Sequence, residues 1–225
     1  LYTTLLIAFA AGAVALAALG IYGLFAYVVG RRTNEIAIRE ALGGQRSGII
    51  WMVVGEALRR FDAMKRPEDI VPDIRGVIYG TVVRQRDDKK TFDKLFKMHE
   101  ASANSEERTT TAAALAGFKS KEHIERALKI IKSGSVRHQD VAYWVAYSFM
   151  NRHAKKHVWK WMTKEWSWLE KNLGSDLSFY RFPVYAANAF SERKFLDEYQ
   201  KFFEPKISPA IERSIKQGVE ILIWK

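Results

Sequence analysis

The 225-residue chain carries 36 Lys and Arg against 25 Asp and Glu, a formal net charge of +11, and no cysteine. Absence of cysteine excludes a disulfide scaffold and a thiolate metal site, and 48% hydrophobic content is enough for a packed core. The basic residues are scattered among acids with no nucleic-acid motif, so they read as solvated faces and no nucleic-acid partner is expected.

Residues 1–30 contain no charged residue. A membrane helix needs about 20 consecutive apolar residues, so this stretch is expected to span a bilayer. Tyr27 sits where interfacial aromatics settle, and Arg31 and Arg32 follow at once. The positive-inside tendency then places residues 31–225 in the cytoplasm, membrane-associated, or simply in the cytoplasm if the first segment does not insert. Residues 31–58 read as a short juxtamembrane helix and the truncated start of a second membrane helix. Glu35 and Arg39 are four apart in the favourable order for a helix ion pair, and Gly43 ends the helix. Ile49 to Val54 is apolar but far too short to span, and Gly55-Glu56 and Arg59-Arg60 stop it.

Beyond residue 59 apolar positions recur at helical spacing. Helices are expected over Asp73 to Arg86 and Thr91 to Glu100. The next runs from an N-cap at Ser105, with Glu106 and Glu107 in its first turn, through Leu115 to Gly117. Ser120 caps another that ends at Gly134. Gln139 to Asn151 and the tryptophan-rich Lys155 to Leu173 follow, then Ser178 to Phe190 and Ser191 to Phe203. Ser208 and Pro209 read as the cap and first turn of the last helix. The fold class is therefore all-α: one N-terminal transmembrane-type helix plus a HEAT- or armadillo-like stack of antiparallel helix pairs, about nine short helices.

No H-E-x-x-H occurs. His153 and His157 are four apart, but Ala154, Lys155 and Lys156 lie between them, so the general-base Glu is missing and no metal site is expected. Neither a G-x-S-x-G nucleophile turn nor a phosphate loop is present, so no catalytic residue is assigned.

Two family resemblances overlay these patterns. The run Arg31-Arg32-Thr33-Asn34-Glu35-Ile36-Ala37-Ile38-Arg39-Glu40-Ala41-Leu42-Gly43-Gly44, with the preceding Leu16 to Val29, resembles FtsX-like permeases of the MacB type over residues 1–58. It implies a coupling segment carried by Arg32, Glu35, Arg39 and Gly43, and an ABC ATPase subunit as partner. From residue 57 onward the chain resembles the C-terminal helical domain of alanyl and puromycin-sensitive zinc aminopeptidases, closest to fungal cytosolic members. The runs Asp73 to Arg84, Ala142 to Asn151, Glu165 to Ser191 and Pro209 to Trp224 carry it.

The second resemblance implies a non-catalytic domain that closes a peptide-holding cavity and gates it. Its partners would be the peptide substrate and a catalytic domain that this stretch lacks. The zinc belongs to that catalytic domain, and no cofactor is expected here. Arg181, at a position where some relatives carry a cavity-facing Arg, is the implied substrate-binding residue. Both resemblances stop near residues 55–60, so a chimera of two pieces is expected. The alternatives are a transporter fragment and a helical-repeat adaptor for a peptide or protein.

Overall fold

The computed structural model describes residues 46–225. The expected membrane helix over residues 1–30 and the segment of Arg32, Glu35, Arg39 and Gly43 lie outside them. The chain divides into two compact units, Leu1–Glu56 and Ala57–Lys225. Of the first, the described part is the opening of α1 (Arg46–Ala63). Trp51, Val53 and Ile50 are exposed there. Among the described residues no helix is long and apolar enough to cross a membrane.

The second unit continues with α2 (Pro72–Gln85), α3 (Lys89–Ala101), α4 (Ser105–Leu115), α5 (Lys121–Ile130) and α6 (Val141–Met150). Then come α7 (Lys155–Lys164), α8 (Trp166–Leu173), α9 (Phe182–Ala189), α10 (Lys194–Phe203) and α11 (Glu212–Ile223). Among the described residues there is no strand.

These helices form two rows. In the first, α2 packs on α4, α4 on α6, α6 on α9 and α9 on α11. In the second, α5 packs on α7, while α3, α7 and α10 lie against first-row neighbours α4, α6 and α11. Stacked rows of short helices bury a continuous core between them. Phe92, Leu95, Trp144, Val145, Val158, Met162, Phe182 and Phe203 are among its fully enclosed members.

The repeat has no sequence identity, but it has a regular hydrogen-bond signature. Side chains lying 30 to 38 residues downstream close the exposed C-terminal carbonyls of earlier helices. Lys94 Nζ donates to Phe61 O (2.6 Å) and Met64 O (2.9 Å) at the end of α1. Lys119 does so for α2 through Arg84 O. Asn151 Nδ2 donates to Ala116 O (2.9 Å) and Phe118 O (2.6 Å) after α4. Lys225 Nζ reaches Ala187 O, Asn188 O and Phe190 O after α9. The last carbonyls of a helix lack intrahelical donors and carry its negative dipole end; the lysine ammonium groups suit both needs, and the Asn151 amide supplies donors alone.

Several expected boundaries move. Asn104, not Ser105, caps α4: its Oδ1 accepts from Glu106 N (2.8 Å) and Glu107 N (3.3 Å). Ser120 caps α5 as expected, but that helix ends at Ile130, and Gly134 takes φ +85° in the turn beyond it. The single helix expected over Lys155 to Leu173 is two, broken at Glu165. The break brings Trp159 and Trp166 onto the same pair of rings. Trp159 lies 5.4 Å from Phe202 and 6.0 Å from Phe203, and Trp166 lies 5.6 and 5.3 Å from them. In a straight helix two residues seven apart sit about 10 Å apart along the axis. Ser208 and Pro209 form a turn, not a helix start; Ser208 O accepts from Ile211 N and Glu212 N, and α11 begins at Glu212.

Candidate functional site

Two neighbouring helices of the first row, α6 and α9, lack the charges that a water-facing helix normally carries. No residue of α6 or α9 is charged. In α6, Val141, Ala142, Trp144, Val145, Ser148 and Phe149 are buried. That leaves Tyr143, Ala146, Tyr147 and Met150, spaced one helical turn apart, on the open side. Tyr143 and Tyr147 stack at 6.5 Å, and burial, followed by the neighbouring Tyr143, raises the Tyr147 phenol pKa. In α9 the corresponding open positions are Val184, Tyr185 and Asn188. On α2 and α4 the open positions Val77, Gly80, Thr81, Thr110 and Ala113 are joined by charges: the Arg84 guanidinium lies 3.5 Å from where a Gly80 Cβ would stand, and Glu106 is exposed one turn before Thr110.

Arg181 stands at the head of this face. It ends the 3-10 turn Phe179–Arg181 and directly precedes α9. Its backbone is pinned on both sides: Phe179 and Phe182 are buried, with Phe179 5.0 Å from Trp166. Tyr180 Oη donates to Gly174 O at 2.8 Å. The Arg181 side chain itself is exposed and has no ion-pair partner among the described residues. Helical spacing puts it on the side of Tyr185 and Asn188. A fixed backbone bearing a free guanidinium beside uncharged aromatic surface can grip a carboxylate with two hydrogen bonds.

One cluster that sequence reading missed has the composition of a nucleophilic triad. Asp87 Oδ1 lies 2.6 Å from His123 Nδ1 and accepts from Ser120 Oγ (3.0 Å), which lies 2.9 Å from the same His123 Nδ1. A relay needs the acid and the serine on opposite ring nitrogens. Here both meet one nitrogen, and Phe92 and Phe118 flank the ring at 5.3 and 4.9 Å. Asp87 also accepts from Lys119 N and Ser120 N. The cluster is a helix cap tied to the preceding repeat, and these hydrogen bonds hold the Asp87 carboxyl below the usual range against an opposing burial effect.

The ERAP1-like C-terminal domain family model matches residues 46–222. The chain belongs to that family. It is 27% identical to Aminopeptidase N of Lactobacillus helveticus over 69% of the chain and 19% of that protein. It is 27% identical to Aminopeptidase M1 of Arabidopsis thaliana over 73% of the chain and 19% of that protein. With Aminopeptidase N of Lactococcus lactis subsp. lactis the figures are 29%, 72% and 19%. The chain thus spans about a fifth of the curated relatives it matches. The permease resemblance finds no support in these comparisons. Where the two overlap, over residues 46–58, the ERAP1-like C-terminal domain model accounts for the sequence.

The zinc associated with the resembled aminopeptidases has no fitting donor set among the described residues of this ERAP1-like C-terminal domain. No group of three His, Asp or Glu is placed to hold a metal ion there. His153 Nε2 accepts from Arg152 Nε at 3.1 Å, and His157 lies 3.9 Å from Glu125, beside Lys155 and Lys156. No catalytic step is derived through a metal on these residues.

Proposed function

We propose that this ERAP1-like C-terminal domain closes a peptide-holding cavity over the zinc-bearing domain of an aminopeptidase and gates access to it. The observation that supports this reading is the uncharged open side of α6 and α9, headed by Arg181, which has no ion-pair partner among the described residues. Large apolar patches on a protein surface mark contact with something other than bulk water. A peptide chain offers what this face lacks: backbone donors and acceptors for the tyrosine hydroxyls and a carboxylate for Arg181. The partners in this reading are therefore a peptide substrate and a catalytic domain, and the domain alone is inactive. Residues 31–225 would lie on the cytoplasmic side, a placement supported by Arg31-Arg32 after the uncharged start.

The test replaces the corresponding stretch of Lactococcus lactis Aminopeptidase N with residues 46–225. The hybrid is expected to hydrolyse peptides, and Arg181→Ala in it to raise KM for peptides more than for a single aminoacyl reporter. Zinc-dependent hydrolysis of that reporter by the purified chain alone would overturn the non-catalytic assignment. An unchanged peptide KM in the Arg181→Ala hybrid would remove Arg181 from the site.

A further inference from the structure

We infer that the groove between α5 and α7 binds an acidic protein segment bearing a large apolar side chain between its carboxylates. The groove lies in the second row, where α5 packs on α7, and is an open trough of about 410 Å³. Glu125, Leu128, Lys129 and Lys132 line one wall, His157, Lys160, Trp161 and Lys164 the other, and Glu165 follows Lys164 at its end. Both sets follow the spacing i, i+3, i+4, i+7, so the two stripes run alongside each other for two helical turns.

The groove carries more lysines than its acids pair. Lys132 is tied to Glu165 and stands over the Trp168 ring at 5.4 Å. Glu125 already faces Lys121 at 3.8 Å and His157 at 3.9 Å. Lys129, Lys160 and Lys164 are exposed and have no acidic partner among the described residues, yet all three line one groove. Two basic residues of the same row are paired outside the groove: Arg126 meets Asp93 at 2.6 Å, and Lys155 meets Glu192 at 3.2 Å. Complementary charge favours an anionic occupant and speeds its encounter.

The floor decides between anions. Leu128 is buried, and Trp161 is half-buried against the core. A bare polyphosphate would neutralise the lysines and leave that apolar strip uncovered. A peptide with an aliphatic side chain between acids covers both, and lysine ammonium groups donate to carboxylates without the planar fork that arginine offers. This occupant differs from the partner of the uncharged open side of α6 and α9, so the inference does not depend on the peptidase reading.

Fluorescence anisotropy of the full chain with fluorescein-labelled Asp-Glu-Leu-Glu-Asp tests it. The expected result is saturable binding that weakens with salt, and that falls about tenfold or more in Lys129→Glu/Lys160→Glu/Lys164→Glu. Reversing Lys97, Lys171 and Lys194, which lie outside the groove, should leave affinity within about twofold. If the groove variant does not fold, as judged by circular dichroism, the peptide Asp-Glu-Ser-Glu-Asp on the unaltered chain supplies the readout and should bind several-fold more weakly. Equal binding of the Leu and Ser peptides, or equal loss in the two lysine triples, overturns the inference. So does displacement of the peptide at matched charge by tripolyphosphate or by phosphatidylserine vesicles, which would assign the lysines to a phosphate or a lipid surface.

Discussion

The two helix rows differ in how their sequences meet water. In the second row, α5 carries five charged residues in Lys121–Ile130, with Ile124, Ala127 and Leu128 buried on the other side. In the first row, α6 carries none in Val141–Met150, although Tyr143 and Met150 are 53% and 80% exposed. Strong amphipathicity marks a helix with one face in the core and one in water. Its loss in α6 and α9 is what the proposed contact with a peptide and a catalytic domain requires of their open side. Net charge alone conceals this, because it averages the two rows.

The comparison rests on the rows being locked together, and the buried polar junction between them is where breaking it costs most. Arg108 of α4 donates from Nη1 to His99 O (3.1 Å) and from Nη2 to Ser135 O (2.7 Å). Its Nε lies 3.5 Å from Asp140 Oδ2, an ion pair without a hydrogen bond. Arg137 bonds the same carboxylate at 2.6 and 3.2 Å. Arg108→Ala leaves buried acceptors unpaired and is expected to destabilise the fold by about 3–5 kcal/mol, read by urea unfolding.

His99 offers a pH-controlled version of the same break. Its Nδ1 contacts Arg108 O (3.2 Å) and Thr111 Oγ1 (3.1 Å), while Nε2 faces Arg108 Nη2 at 3.3 Å. The neutral ring protonated at Nδ1 satisfies all three. Burial, then the Arg108 charge, push its pKa down from 6.5 to about 4. The unfolded chain therefore binds this proton first as pH falls. Its contribution to stability is intact above pH 6.5 and is lost between 6.5 and 4. Unfolding at pH 7 and pH 4.5 should differ by about 2–3 kcal/mol from this group, and His99→Gln should flatten that portion of the profile.

Gly218 sharpens the comparison at the far end, where α11 meets both α9 and α10. A Cβ there would collide with Tyr199 Oη and come within 2.6 Å of its Cζ. Tyr199 is fully enclosed and stacks on Trp159 at 6.3 Å, so its ring cannot retreat. Gly218→Ala should cost about 2 kcal/mol, partly restored by Tyr199→Phe, as melting curves would show.

The smallest effect on folding separates surface from core. Val77→Lys and Met150→Lys, at positions 62% and 80% exposed, should each change the stability of the chain by less than about 0.5 kcal/mol. In the Aminopeptidase N hybrid the same changes should reduce peptide hydrolysis, because they place charge on the face proposed to enclose substrate.

Helical periodicity was enough to locate nearly every helix from residue 73 onward, because a helix that buries one stripe repeats it every three to four residues. The Ser120 cap was legible from its side-chain type, and the resemblance of the runs from residue 57 onward pointed to the family whose model matches residues 46–222. The division at Glu165 stayed hidden because α7 and α8 share one unbroken tryptophan-rich pattern, and only packing against Phe202 and Phe203 bends it. The triad-like Asp87, Ser120 and His123 were hidden for the same reason: Asp87 comes from the preceding repeat. Arg181 was singled out by resemblance, and its lack of an ion-pair partner among the described residues emerges only from its folded surroundings. The chain by itself determined which residues are helical and which are apolar. Which apolar faces turn inward, and which stay open without charge, is set by the two-row stack, because burial depends on neighbours thirty or more residues away.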